Sequence, residues 1–323
     1  MLRQTSLLLS VVLACCSPTM LLAQLQVDSE LPVYERVSGV SGTIKSIGSD
    51  TMNNMMTLWA EGFQEIYPNV QIEIEGKGSS TAPPALIQGT ATFGPMSRPM
   101  KANEIDDFEK RYGYKPVELG TSIDMLAVYV NKDNPIKGLS LPQLDAIYST
   151  NRKGGAEKDI SRWGELGLSG AFAQSPISLY GRNSASGTYA YFKENVLFGG
   201  DYKPTVKEQP GSSSVVQGVA TDKFGIGYSG IGYKTSDVRV LPLSIEGTDF
   251  VEPTAENADD YPLSRFLYIA VNYRPGSELD PLRREFLKYI YSQQGQKAVV
   301  KEGYLPIPAV IAAAQLEQVG IKN

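Results

Sequence analysis

Histidine is absent from this sequence. Its absence excludes Ser-His-Asp and Cys-His nucleophilic chemistry and every histidine-ligated metal. Cysteine is nearly absent: Cys15 and Cys16 are the two, both inside an apolar N-terminal segment. A chain processed beyond them has no disulfide, no thiol nucleophile and no thiolate metal site. Net positive charge is lacking as well. Lys and Arg number 30 against 35 Asp and Glu, a formal net charge of −5, which argues against a general nucleic-acid binder. An anion would have to be held by a local positive site and not by the overall field. The chain shows no low-complexity tract and no repeat of solenoid period. Carboxylate–metal and Ser-Lys schemes remain formally open, but no cluster of residues spells one out.

Acidic residues are missing from the N-terminus until Asp28. Arg3 supplies one positive charge, and Leu7 to Cys16 is mostly apolar. Residues 1–23 therefore read as a secretory signal peptide, too short and too poorly flanked for a spanning helix. Ala23 before Gln24 is the favoured cleavage site. Val12-Leu13-Ala14-Cys15 resembles a bacterial lipoprotein box, in which Cys15 would carry a lipid anchor. Either route leads out of the cytoplasm, to the periplasm.

What is present is ample core material. The chain has 323 residues, 42% of them hydrophobic and 20% charged, enough for about two ordinary domains. Residues 24–42 read as an extended lead-in. Ile44 to Ile47 can form a first strand, and Gly48-Ser49-Asp50-Thr51 then opens a helix. Met52, Met55, Met56, Trp59, Phe63 and Ile66 fall on one face of that helix, which Tyr67-Pro68-Asn69 ends. Val70, Ile72 and Ile74 alternate as a strand. Gly78-Ser79-Ser80-Thr81 follows, with Pro83 and Pro84 in a first helical turn. Ala91 to Gly94 is a short strand closed by Pro95 to Pro99.

This strand–loop–helix order predicts an α/β fold in which helices flank mainly parallel sheets. Ligands in such sheets bind beyond the carboxyl ends of the strands, beside helix starts. Two apolar runs, Met125 to Val130 and Phe266 to Val271, are expected as paired crossover strands. They divide the chain into lobe I, 42–124 plus 265–323, and lobe II, 125–264, with a cleft between.

Four elements could line that cleft: Ser49-Asp50-Thr51, Gly78-Ser79-Ser80-Thr81, Ser97-Arg98, and Arg182 with Ser186-Gly187-Thr188. Small hydroxyl residues and glycine at a helix start expose backbone N–H groups that attract anions. An arginine adds a planar fork of donors suited to a tetrahedral oxyanion. Each element also has a plain reading. Ser, Thr and Asp are common helix caps, the methionine stripe is core, and Arg98 alone would more often be a surface ion pair. Convergence of several such starts is what points to one anion cage. Gly211-Ser212-Ser213-Ser214 is a further helix start, expected to support and not to ligate.

From about residue 44 to 310 the chain resembles the periplasmic phosphate-binding proteins of ABC importers, the PstS-like group of two-lobed solute-binding proteins. The resemblance rests on Thr51, with the backbone N–H of Met52 after it, on Gly78-Ser79-Ser80 and on Arg182-x-x-x-Ser186-Gly187-Thr188. Gln217 to Tyr233 also looks like a downstream helix and strand of that group. It implies the type II periplasmic-binding-protein fold, capture of inorganic phosphate and its delivery to membrane ABC permease subunits. It further implies a monomer with no cofactor, no metal and no catalytic residue. The implied ligand set is Asp50, Thr51, Met52, Ser79, Ser97, Arg98, Arg182, Ser186, Gly187 and Thr188. One position departs from the well-known members. Where they carry an aspartate that accepts the proton of hydrogen phosphate, this chain has Ser97, followed by Arg98 as in another branch. Asp50 is then the candidate acceptor, with Asp124 behind it. Sulfate, molybdate or a phosphonate are alternative ligands. A phosphatase is a remote alternative, and an added adhesive role is compatible with the sequence.

Overall fold

The computed structural model describes residues 26–245 and 249–322. The signal peptide, the Ala23 site and the Cys15 motif lie outside the described residues.

The first half of the chain builds β1 (Gly42–Ile47), β2 (Val70–Glu75), β3 (Phe93–Met96) and the 15-residue β4 (Val117–Asn131). Then come β5 (Leu139–Ser140), β6 (Ser178–Arg182), β7 (Lys207–Gln209), β8 (Gly225–Gly230), β9 (Val238–Val240), β10 (Leu243–Ser244) and β11 (Ser264–Val271). β5 and β10 pair as a small separate sheet, and the main sheet runs β2-β1-β3-β11-β4-β8-β6-β7, with β9 also on β4. Each half has a core of three parallel strands: β2, β1 and β3 in one, β8, β6 and β7 in the other. The joining strands run antiparallel to their neighbours. The type II periplasmic-binding-protein architecture is thus present, with a mixed sheet.

β4 joins the two halves. Val117 to Met125 pairs with β11, and Leu126 to Asn131 pairs with β8 and β9. The two apolar runs expected to pair with each other therefore lie in different halves. Met125 to Val130 packs beside β8, while Phe266 to Val271 pairs with residues 117–123. The crossing strands meet where the runs end, at Asp124 opposite Arg265 and Met125 opposite Ser264. An apolar run marks a strand but does not name its partner, so the register was not readable from it.

The helices are α1 (Asn53–Ile66), α2 (Ala82–Gln88), α3 (Ala102–Tyr112), α4 (Leu141–Tyr148), α5 (Gly187–Asn195), α6 (Ser212–Thr221), α7 (Pro281–Ile290), α8 (Gln293–Lys301) and α9 (Ala309–Glu317). Among the described residues no helix is long and apolar enough to cross a membrane. One core cluster packs the predicted stripe of α1 against α7, α8 and β1, including Met55, Met56, Trp59, Phe63, Phe286 and Leu287. A second packs α4 and α5 against β4, β6 and β8. There Phe192 stacks on Tyr228 with ring centroids 3.9 Å apart. Leu86, Met96 and Phe108 join α2 and α3 to the outer face of the first half. Pro at the start of α2 and left-handed Gly89 at its end set that helix's length.

Trp59 is fully buried, and its indole N–H donates to the Gly295 carbonyl at 2.8 Å. Trp59→Ala removes that bond and opens a cavity in the first core. The expected loss is about 3–5 kcal/mol of unfolding free energy, read from urea denaturation followed by far-UV circular dichroism.

Candidate anion-binding site

The loops after β1 and β2 are stitched together before they present any side chain. The N–H of Gly48 donates to Glu75 O at 2.9 Å, and that of Gly78 to Gly48 O at 2.8 Å. Gly78 has φ +116°, and a Cβ there would lie 2.4 Å from the Ala185 carbonyl oxygen. The same carbonyl accepts the N–H of Ser80 at 3.1 Å, so the backbone of one half bonds that of the other. Two short 3-10 turns, Asp50–Met52 and Ser79–Thr81, feed α1 and α2. Tyr304 OH donates to Thr51 O at 2.9 Å, and Tyr233 OH to Asp50 O at 2.9 Å, fixing the first turn from two directions.

These turns bring Thr51, Ser79 and Ser97 from one half against the start of α5 in the other. Thr51 Oγ1 lies 2.9 Å from Thr188 Oγ1. Ser97 Oγ lies 3.5 Å from Thr188 Oγ1 and 3.2 Å from Ser79 Oγ, and the Ser97 N–H donates to Ser79 Oγ at 3.0 Å. All four residues are buried. Gly187 makes the approach possible, since a Cβ there would stand 2.3 Å from Ser79 Oγ and 2.7 Å from Ser97 Oγ. Hydroxyls that can each donate or accept, at the starts of three helical segments, form a surface suited to several oxygens of one anion.

The remaining predicted residues take other places. Ser186 is the N-cap of α5, its Oγ accepting from the N–H of Thr188 at 3.1 Å and of Tyr189 at 3.4 Å. Met52 puts its side chain in the first core, and its N–H donates to Ser49 O at 3.3 Å. Arg98 is not turned to the cluster. Glu104 grips it with two bonds, 2.8 and 2.7 Å, and Ser80 Oγ is 3.5 Å away. A bidentate carboxylate at the start of α3 holds that guanidinium more strongly than a neutral hydroxyl can.

Arg182, at the end of β6, is 1% exposed. It donates to Ser212 Oγ at 2.7 Å and Pro210 O at 3.2 Å, and pairs with Asp50 Oδ2 at 3.2 Å. Its Nε is buried with no partner among the described residues. Burial lowers the Arg182 pKa from its ordinary value, Asp50 opposes that, and the charge of Arg265 adds to it. A guanidinium so lowered still remains charged throughout the biological range. The Asp50 carboxylate does not cap its own turn, whose N-cap is Ser49. Its Oδ2 accepts the Ser212 N–H at 2.7 Å, at the positive N-terminus of α6 in the other half. Ser212 thus contacts both Arg182 and Asp50.

Sequence reasoning missed Arg265. It lies directly opposite Asp124 in the β4–β11 register. Its Nε and Nη2 donate to Asp124 Oδ2 at 3.0 and 2.7 Å, its Nη1 to Ser97 O at 2.9 Å, and its Nη2 to Thr188 Oγ1 at 2.9 Å. Asp124 Oδ1 accepts the Ile231 N–H at 3.0 Å. The one available signal was an arginine at the edge of the otherwise apolar stretch 266–271, with an aspartate at the edge of the other apolar run.

The chain as a whole is similar to proteins already known. The family described as PBP superfamily domain matches residues 35–294. The Phosphate-binding protein PstS of Pseudomonas aeruginosa is 54% identical over 298 residues, covering 91% of this chain and 92% of that protein. The Phosphate-binding protein PstS of Bacillus subtilis is 30% identical over 271 residues, covering 83% and 81%. A phosphate ABC transporter substrate-binding protein of Clostridium perfringens, solved with bound phosphate, superposes with a TM-score of 0.70 at 28% identity, covering 82% of this chain and all of that one.

Gly187→Ala places a methyl group against Ser79 and Ser97. Both cores lie away from it, so melting is expected to change by only a few degrees. Oxyanion binding is expected to weaken at least about tenfold, because a misplaced donor loses most of a charge-assisted bond. Titration calorimetry and thermal melting on the same preparation check both.

Proposed function

The chain belongs to the phosphate-binding-protein family of PBP-superfamily domains, and from that premise we propose that it captures inorganic phosphate outside the cytoplasm and hands it to an ABC importer. The observation that carries this reading is the seating of Thr188, at the start of α5, against Thr51 and Ser97 of the other half. Closure of residues 42–124 with 265–323 onto 125–264, about the point where β4 and β11 meet, would wrap one tetrahedral anion in these hydroxyls. A ligand that contacts both halves stabilises the closed arrangement by its differential affinity for it.

In this reading Thr51, Ser79, Ser97, Gly187 and Thr188 surround the phosphate. Arg182 turns its unpartnered Nε–H to it, Ser186 fixes α5, and Met52 contributes backbone only. Arg98 stays with Glu104. Binding and release leave the ligand unchanged, with no covalent step. The chain acts as a monomer exported by residues 1–23, with Cys15 as an alternative lipid anchor.

Discrimination between phosphate and sulfate depends on a proton. At neutral pH phosphate keeps one and sulfate does not, so a carboxylate facing the anion accepts from the first and repels the second. Asp50 fits that part: a carboxylate has about four acceptor sites, and its two contacts both fall on Oδ2. Ser97, in place of an acid beside Ser79, is the feature that favours the second reading, a fully deprotonated oxyanion such as sulfate.

Titration calorimetry with phosphate, sulfate and arsenate across pH 5–9 tests the proposal. Sulfate binding that survives a large phosphate excess would overturn it. Arg182→Ala is expected to lose about 2–4 kcal/mol of phosphate binding with the fold retained. Asp50→Asn is expected to narrow the phosphate–sulfate preference, and an unaltered preference would move the acceptor role to Asp124.

A further inference from the structure

We propose that Arg265 is a second anion-contacting residue of this site, and that Asp124 is the residue that positions it. The inference rests on the phosphate reading and deepens it.

Besides Arg98, which Glu104 holds, two buried arginines flank the hydroxyl cluster, and their contacts differ. Those of Arg182 stop at Ser212, Pro210 and Asp50. Those of Arg265 enter the cluster itself, through Thr188 Oγ1 and the Ser97 carbonyl. Thr188 Oγ1 in turn is within 2.9 Å of Thr51 Oγ1 and 3.5 Å of Ser97 Oγ. An anion bridging these three hydroxyls comes within reach of the Arg265 fork.

The direction of the bond matters. Guanidinium has donors and no acceptor, so Thr188 Oγ1 must accept from Arg265. Its own proton is thereby aimed away from Arg265, toward the Thr51 and Ser97 side. Arg265 acts twice: it offers the anion the one N–H, on Nη1, that Asp124, Thr188 and Ser97 leave untaken, and it turns the Thr188 hydroxyl into a donor.

The guanidinium is held on every side. Asp124 Oδ2 takes two of its N–H groups, and the Tyr191 ring of α5 lies 5.0 Å from Cζ. The Arg265 side chain is 3% exposed and that of Asp124 is fully buried. An ion pair this deep is weak evidence of stabilisation, since apolar replacement is often neutral or better. What it does supply is a donor fork already in place, so that little side-chain freedom is lost on binding.

The test uses the mature protein labelled with 15N-arginine and loaded with inorganic phosphate. A through-hydrogen-bond coupling between an Arg265 guanidinium nitrogen and phosphate 31P is expected, assigned by its loss in Arg265→Lys. Guanidinium resonances of Arg265 that do not move at saturating phosphate in the wild-type protein would overturn the proposal. By calorimetry Arg265→Gln is expected to bind phosphate at least about 100-fold more weakly. The surface variant Lys132→Gln, which breaks an exposed pair with Asp237, is expected to stay within threefold. A folded Arg265→Gln with near-native affinity would also overturn it. If Asp124 positions the fork, Asp124→Asn is expected to merge the separate Arg265 Nη–H signals by freeing rotation about Nε–Cζ; signals that stay resolved would remove that role. A wild-type protein that takes up no phosphate would overturn the phosphate reading first. Phosphate uptake with Arg265 unperturbed would overturn the present inference alone.

Discussion

The carboxylate of Asp124 holds the guanidinium of Arg265 at the one level of the sheet where β4 and β11 meet between the two halves. Both charges are buried, so neither is stable without the other: removal of one partner leaves an uncompensated charge and costs about 3–5 kcal/mol. The pair also reaches outward. Arg265 bonds the carbonyl of Ser97 after β3 and the hydroxyl of Thr188 at the start of α5, while Asp124 takes the N–H of Ile231 after β8. Segments from both halves are therefore referenced to one ion pair. The position of Thr188 relative to Thr51 and Ser97 follows from it.

A second pair repeats the logic at the edge of the same cluster. Asp50 belongs to the turn before α1, yet it binds Arg182 and the first N–H of α6, both in the other half. The two cross-half carboxylates differ in exposure, with Asp50 at 22% and Asp124 fully buried. Water reaches the first and screens it, so Asp50 can exchange partners when the halves move at lower cost. Asp124 is the fixed reference and Asp50 the adjustable contact.

Much of this was legible in the chain. The stripe Met55, Met56, Trp59 and Phe63 located α1 and the first core, because helical periodicity is a local property. The helix starts at Thr51, Ser79 and Gly187 were readable from small hydroxyl residues and glycine, and they do converge. Their roles were less legible. Whether Ser186 caps its helix or faces a ligand depends on rotamer, and whether Arg98 faces the cluster depends on Glu104 six residues on. Arg265, marked only by its place at the edge of an apolar run, was missed for a different reason. Its partner is 141 positions away, and only strand register across the sheet places them opposite each other. Nonlocal register leaves no periodic trace in either strand's own sequence.

The charge balance explains how an acidic protein can offer a site to an anion. With a net charge of −5, the overall field repels a dianion at long range. Inside the cluster each arginine is matched by one carboxylate, so the site is close to neutral and donors decide the outcome. Thr51, Ser79, Ser97 and Thr188 supply hydroxyls, and the starts of α1, α2 and α5 supply the positive ends of their dipoles. Dipolar donors buried from water act in a low-dielectric setting and are weakly screened by salt. Binding that depends on them should vary little with ionic strength, whereas a site working by net positive charge would weaken steeply. A neutral, donor-rich cage also reads the anion's protonation state through hydrogen bonds and not through charge alone, and that property separates phosphate from sulfate when their size and shape do not.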